Sequence, residues 1–84
     1  MKNSEEEVLK CIKNKDRENP FISFMDIVAH LFLLNRLKNP SEENLQKKLK
    51  RTKKEAESSI DNLLSKKRIK RIDKLFGTIY DIDD

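Results

Sequence analysis

Ser59-Ile60-Asp61-Asn62-Leu63-Leu64-Ser65-Lys66-Lys67-Arg68-Ile69-Lys70-Arg71-Ile72-Asp73-Lys74-Leu75-Phe76-Gly77-Thr78-Ile79-Tyr80-Asp81-Ile82 changes its hydrophobic period once. Through Leu64 the spacing is helical: Ala56, Ile60, Leu63 and Leu64 fall on one stripe. The helix is expected to end near Lys66-Lys67, where cations suit the negative end of the helix dipole. Beyond it, residues 68–72 and 78–82 are β-type runs, and between them Asp73-Lys74-Leu75-Phe76-Gly77 holds the sole glycine. The pattern predicts a hairpin with a loop of four or five residues.

Working back from this stretch, Thr52 with Glu55 reads as a capping box that opens the helix. Before it, Ser41 would cap a short polar helix from Glu42 to about Lys50, with Leu45 and Leu49 on one side. Asn39-Pro40 would stop the preceding helix. That second helix is expected to start after Ser23 as N-cap, with Asp26 at N3 and Ile22 and Ile27 as a hydrophobic staple. Phe24, Ile27, Val28, Leu31, Leu34 and Leu37 give it the strongest apolar face and place it at the centre of the core. A first helix would begin near Glu5, boxed by Ser4 and Glu7, show Val8, Cys11 and Ile12 on one face, and fade by Lys15 or Asp16. Asn19-Pro20 reads as a turn. Three main helices, a short extra helix and a C-terminal two-stranded β-hairpin make a mainly α (α+β) chain in winged-helix order, one domain over residues 1–84.

Of the 84 residues, 36% are hydrophobic and 40% charged, so the core must be small. No apolar run approaches the ~20 residues of a membrane span, and the first residues have no signal-peptide pattern. Cys11 is the sole cysteine, which suits a reducing, intracellular setting in cytoplasm or nucleus. The charge is uneven. Residues 47–71 hold eleven Lys/Arg and three Asp/Glu, while residues 72–84 hold one Lys and four Asp. The basic segment points to an anionic partner, nucleic acid or an acidic protein surface, and not to a membrane or a small-molecule substrate. His30 has no second histidine or nearby cysteine to share a metal, and one glycine cannot build a phosphate loop. The reading is therefore a non-enzyme without metal or cofactor.

Two binding roles follow. In the first, the third helix enters the major groove of double-stranded DNA and the wing touches the backbone. Lys47, Lys48, Lys50, Arg51, Lys53, Lys54, Lys66, Lys67 and Arg68 are the candidate contacts. Read as a helix beginning at Thr52, however, the element carries Glu55, Glu57 and Asp61, and only Asn62 could pair with a base edge. The cations then flank the helix more than they fill it.

The second role comes from a resemblance. Val8-Leu9-Lys10-Cys11-Ile12-Lys13-Asn14-Lys15, with Asp26-Ile27-Val28-Ala29-His30-Leu31 after it, is similar to the C-terminal winged-helix domain of cullins, scaffolds of RING-type ubiquitin ligases. Residues 59–73 and the late aromatic Tyr80 continue the likeness. The resemblance implies that Lys13 accepts a ubiquitin-like modifier (neddylation), with Lys15 as second choice. It implies a RING subunit and a conjugating enzyme as partners, and a longer parent chain. The sequence departs from the family by about ten inserted residues over 39–49 and by Arg68 near the place of an aromatic residue. It also ends in Asp83-Asp84.

Overall fold

The computed structural model describes residues 4–14, 21–38 and 44–83. Its elements run α1 (Ser4–Lys13), β1 (Ile22–Ser23), α2 (Phe24–Lys38), α3 (Leu45–Ser65), β2 (Ile69–Lys74) and β3 (Gly77–Ile82). The strands form one antiparallel sheet in the order β1-β3-β2. Three helices with this sheet make a winged-helix-like α+β fold. The Asn19-Pro20 turn, the Asn39-Pro40 stop, the Ser41 cap and Lys15 lie outside the described residues.

The start of α2 follows the sequence closely. Ser23 Oγ accepts the amide of Asp26 at 3.3 Å, and the Asp26 carboxylate accepts the amide of Ser23 at 2.9 Å. This is a reciprocal box, with Asp in the place usually held by Glu. The residues of the expected staple, Ile22 and Ile27, are both buried. Ile22 and Ser23 also form β1, pairing with Tyr80 and Ile79. The sheet thus has three strands where two were expected, because a two-residue strand carries no period of its own to read.

The box expected at Ser4 and Glu7 does not form. Ser4 is the first residue of α1 and gives its hydroxyl to the carboxylate of Glu55 on α3. The Glu7 carboxylate accepts from His30 Nε2 at 3.3 Å. Both side chains serve contacts between helices, which sequence neighbours cannot reveal.

The largest correction concerns α3. The short helix and the third helix are one continuous helix of 21 residues. Asn44 is the N-cap, and its side-chain oxygen accepts from the amides of Gln46 (3.0 Å) and Lys47 (3.2 Å). Thr52 caps nothing. It is fully buried, and its hydroxyl donates to the carbonyl of Lys48 one turn earlier at 2.8 Å. Asn35 on α2 reaches the same hydroxyl at 3.4 Å. A threonine whose hydroxyl bonds back to the i−4 carbonyl sits within a helix and does not cap its start.

After Ser65 the chain leaves the helix through a Schellman turn. The amide of Lys67 donates to Leu64 and that of Arg68 to Leu63, at 3.0 and 2.9 Å, with Lys67 at φ 59°. The strands β2 and β3 pair from Ile69↔Ile82 to Lys74↔Gly77, so the loop is Leu75–Phe76 alone, shorter than expected. Gly77 takes a positive φ of 135° there, where a side chain would be strained.

The core joins all three helices to the sheet. Val8 and Ile12 of α1, Ile27, Val28 and Leu31 of α2, Ala56, Ile60 and Leu63 of α3, and Ile69 of β2 are buried together. Each large aliphatic side chain so buried contributes on the order of 1.5–3 kcal/mol. Residues directly paired across a sheet share a face, so Ile22, Tyr80, Arg71, Ile69 and Ile82 look toward the helices. Among the described residues no helix is long and apolar enough to cross a membrane.

Candidate functional site

Continuity of α3 rearranges the basic segment. Thr52, Ala56, Ser59, Ile60 and Leu63 face inward, so the opposite side of the helix faces solvent. Lys47, Lys50, Arg51 and Lys54 fall at i, i+3, i+4 and i+7 on that open side, and all four are exposed. Lys53 is exposed beside them. This stripe rises roughly 10 Å along the axis, and one turn beyond Lys54 the exposed acids Glu57 and Asp61 continue the same face. Glu55, expected among the lysines, is instead partly buried and engaged by Ser4. The cations are therefore the first half of the helix, not its flank, and Arg51 and Gln46 belong to it.

The remaining candidates separate. Lys48 is 8% exposed and packed inside, so it does not belong to the open surface. Lys66 donates to Glu5 at 2.8 Å, and Asn62 donates to the same carboxylate at 3.3 Å. The side chain expected to read a base edge is thus held by α1. Lys67 and Arg68 are exposed at the exit from α3. The edge strand β2 adds exposed Lys70, Arg71 and Lys74. These cations were not singled out in the sequence, although residues 70 and 71 belong to its basic segment.

The cation stripe opposes the helix that carries it. The first turn of α3 has no acid, and Lys47 stands near the positive end of the macrodipole. A cation there costs roughly 0.3–1 kcal/mol at low salt. An anion bound along the stripe would offset that cost.

Lys13 is exposed in the last turn of α1. With Glu6, Leu9, Lys10 and Arg68 it lines a shallow cleft of about 270 Å³. Cys11, in the last turn of α1, is half-buried with Sγ 4.0 Å from the carbonyl of Asp26. Burial, and the Asp26 charge after it, push its thiol pKa up, which disfavours the reactive thiolate. Asp26 itself is committed to the α2 cap.

A second opening lies farther along α3. Phe24, Glu57, Ile60, Asp61 and Tyr80 enclose a groove of about 390 Å³ between α3, the start of α2 and the sheet. Burial lifts the Tyr80 phenol above its ordinary pKa, so the ring is neutral at physiological pH.

Searches of protein-family profiles, curated proteins and solved structures return no match to this chain.

Proposed function

We propose that the protein binds double-stranded DNA through the first half of α3, mainly by contacts to phosphate. The observation that carries this reading is the run of Lys47, Lys50, Arg51 and Lys54 along one exposed face of a continuous helix. A recognition helix presents its N-terminal residues to the major groove, which is about 12 Å wide. Lys70 and Lys74, exposed on the outer face of β2, would supply the wing's contacts to the backbone. Arg51 is the side chain of the stripe best suited to a guanine edge. Such a role belongs inside the cell, with chromatin or another nucleic acid pool.

Fluorescence anisotropy of a labelled duplex tests the reading. Affinity falls with salt by a log–log slope of about −0.9 per phosphate neutralised, so four contacts give roughly −3.6. Lys50→Ala and Arg51→Ala each reduce the slope by about 1, while Lys13→Arg leaves it unchanged. A salt-independent signal, or no binding tighter than about 100 μM at low salt, overturns the proposal.

Lys13 supports a second reading, that of the cullin-like acceptor. It is exposed at the end of α1, with cations on both sides of the neighbouring cleft. Its ε-amine would attack the thioester between a ubiquitin-like modifier and a conjugating enzyme. An isopeptide bond forms, the enzyme's thiol leaves, and a RING subunit positions the donor. Intact mass after a conjugation reaction decides it: one added modifier on the native chain, none on Lys13→Arg.

A further inference from the structure

We infer that the groove between α3 and the sheet is a docking site for an arginine side chain in a basic peptide segment of a partner. The groove lies beside the second half of α3, where Glu57 and Asp61 continue the exposed face of Lys50 and Lys54. Three features define the occupant. The floor is apolar and partly aromatic: Ile60 is buried, and Phe24 and Tyr80 are half-buried at its walls. The rim carries Glu57 and Asp61, one helical turn apart on the same face and both exposed. Neither carboxylate has a hydrogen-bond or ion-pair partner among the described residues.

Two like charges at this spacing destabilise the free helix, and a cation between them reverses the effect. A phosphate or an acidic peptide is repelled here. A wholly apolar side chain would leave both carboxylates next to its surface without compensation. Guanidinium satisfies the whole lining at once. Its flat face stacks on aromatic rings and its edge donates paired hydrogen bonds to carboxylate. Lysine offers the charge without the flat face or the fork. Arg71 stands across the strand pair from Tyr80 on the same sheet face, and Lys53 and Lys54 lie one turn before Glu57 on α3.

The chain contains one tyrosine and no tryptophan, so its intrinsic emission reports on Tyr80 alone. The probe is an acetylated, amidated Gly-Arg-Gly-Arg-Gly peptide, titrated at low salt. A saturable change in Tyr80 emission is expected. The same peptide with citrulline for arginine, neutral but of the same shape, binds about tenfold more weakly, and the lysine peptide falls between them. The Glu57→Gln/Asp61→Asn double variant also loses about tenfold, while Arg71→Gln binds no more weakly than the native chain. Both variants change exposed positions, and far-UV circular dichroism checks that they fold. No saturable change with the arginine peptide overturns the inference. So does equal binding of the citrulline peptide, or unchanged binding by the double variant. Amide shifts confined to Glu5, Glu6 and Glu7 of α1 would place the peptide elsewhere and overturn it as well.

Discussion

Lys67 holds the left-handed backbone conformation that ends α3, a position where glycine is the common residue. Its Cβ crowds the following carbonyl, at a cost of roughly 1–2 kcal/mol. The charge on Lys67 is exposed and takes no part in the core. Lys67→Gly is therefore expected to raise stability by about 1 kcal/mol and the melting temperature by roughly 4–8 °C. Lys67→Val should move both in the opposite direction. Thermal unfolding by circular dichroism compares the three chains, and equal melting temperatures would mean that the turn carries no strain. Lys67 also shows where residue-level reading stops. Cations were expected near this helix end, and they are there, but nothing in Lys66-Lys67-Arg68 distinguishes the residue that turns left-handed from its neighbours.

At the level of elements, continuity of α3 is the feature on which the rest depends. Lys53→Pro separates a broken helix from a continuous one. Had Thr52 been an N-cap, residue 53 would be the first helical position, where proline is accepted readily. Inside the observed helix proline removes a hydrogen bond and clashes one turn back, so a loss of about 3 kcal/mol or more is expected. Urea unfolding measures it, and a variant as stable as the parent would restore the two-helix reading. The apolar periods of α1, α2 and α3, the Ser23–Asp26 box and the two main strands were legible because each depends on residues close in sequence. Thr52 and Glu55 have the right spacing for a box but go to Lys48 and Ser4, and that choice is made by packing. The Leu75–Phe76 loop was read too wide for a related reason, since neither residue is a turn former and the pairing of Lys74 with Gly77 comes from the whole hairpin. The basic half of α3 was visible as composition, but its placement on one open face required knowing where the helix begins. The groove around Tyr80 draws on three elements and had no signature in the sequence.

Across the molecule, α1 is tied to the other helices by carboxylates of its first turn. Glu5 accepts from Lys66 and Asn62 on and after α3, and Glu7 accepts from His30 on α2. The hydrogen bond from Lys66 holds the Glu5 pKa below the usual carboxylate range, and that from His30 does the same for Glu7. The unfolded chain therefore takes up protons at a higher pH than the folded one. The stability these links provide is complete above the ordinary value of about 4.3 and is lost as pH falls through the lowered folded values. Glu5→Gln is expected to lower stability at neutral pH and to flatten its decline in acid. Urea midpoints measured between about pH 3 and pH 7 test this, and parallel curves for variant and parent would refute it.

The pairing of Ile22 with Tyr80 joins positions far apart in the chain, whereas β2 meets β3 across two residues. Closing a long loop costs chain entropy that a short hairpin avoids, and distant pairings form late. During synthesis β1 has no strand partner until β3 has left the ribosome. Assembly thus runs from the hairpin inward, and β1 is the clasp that fastens last and, under stress, opens first.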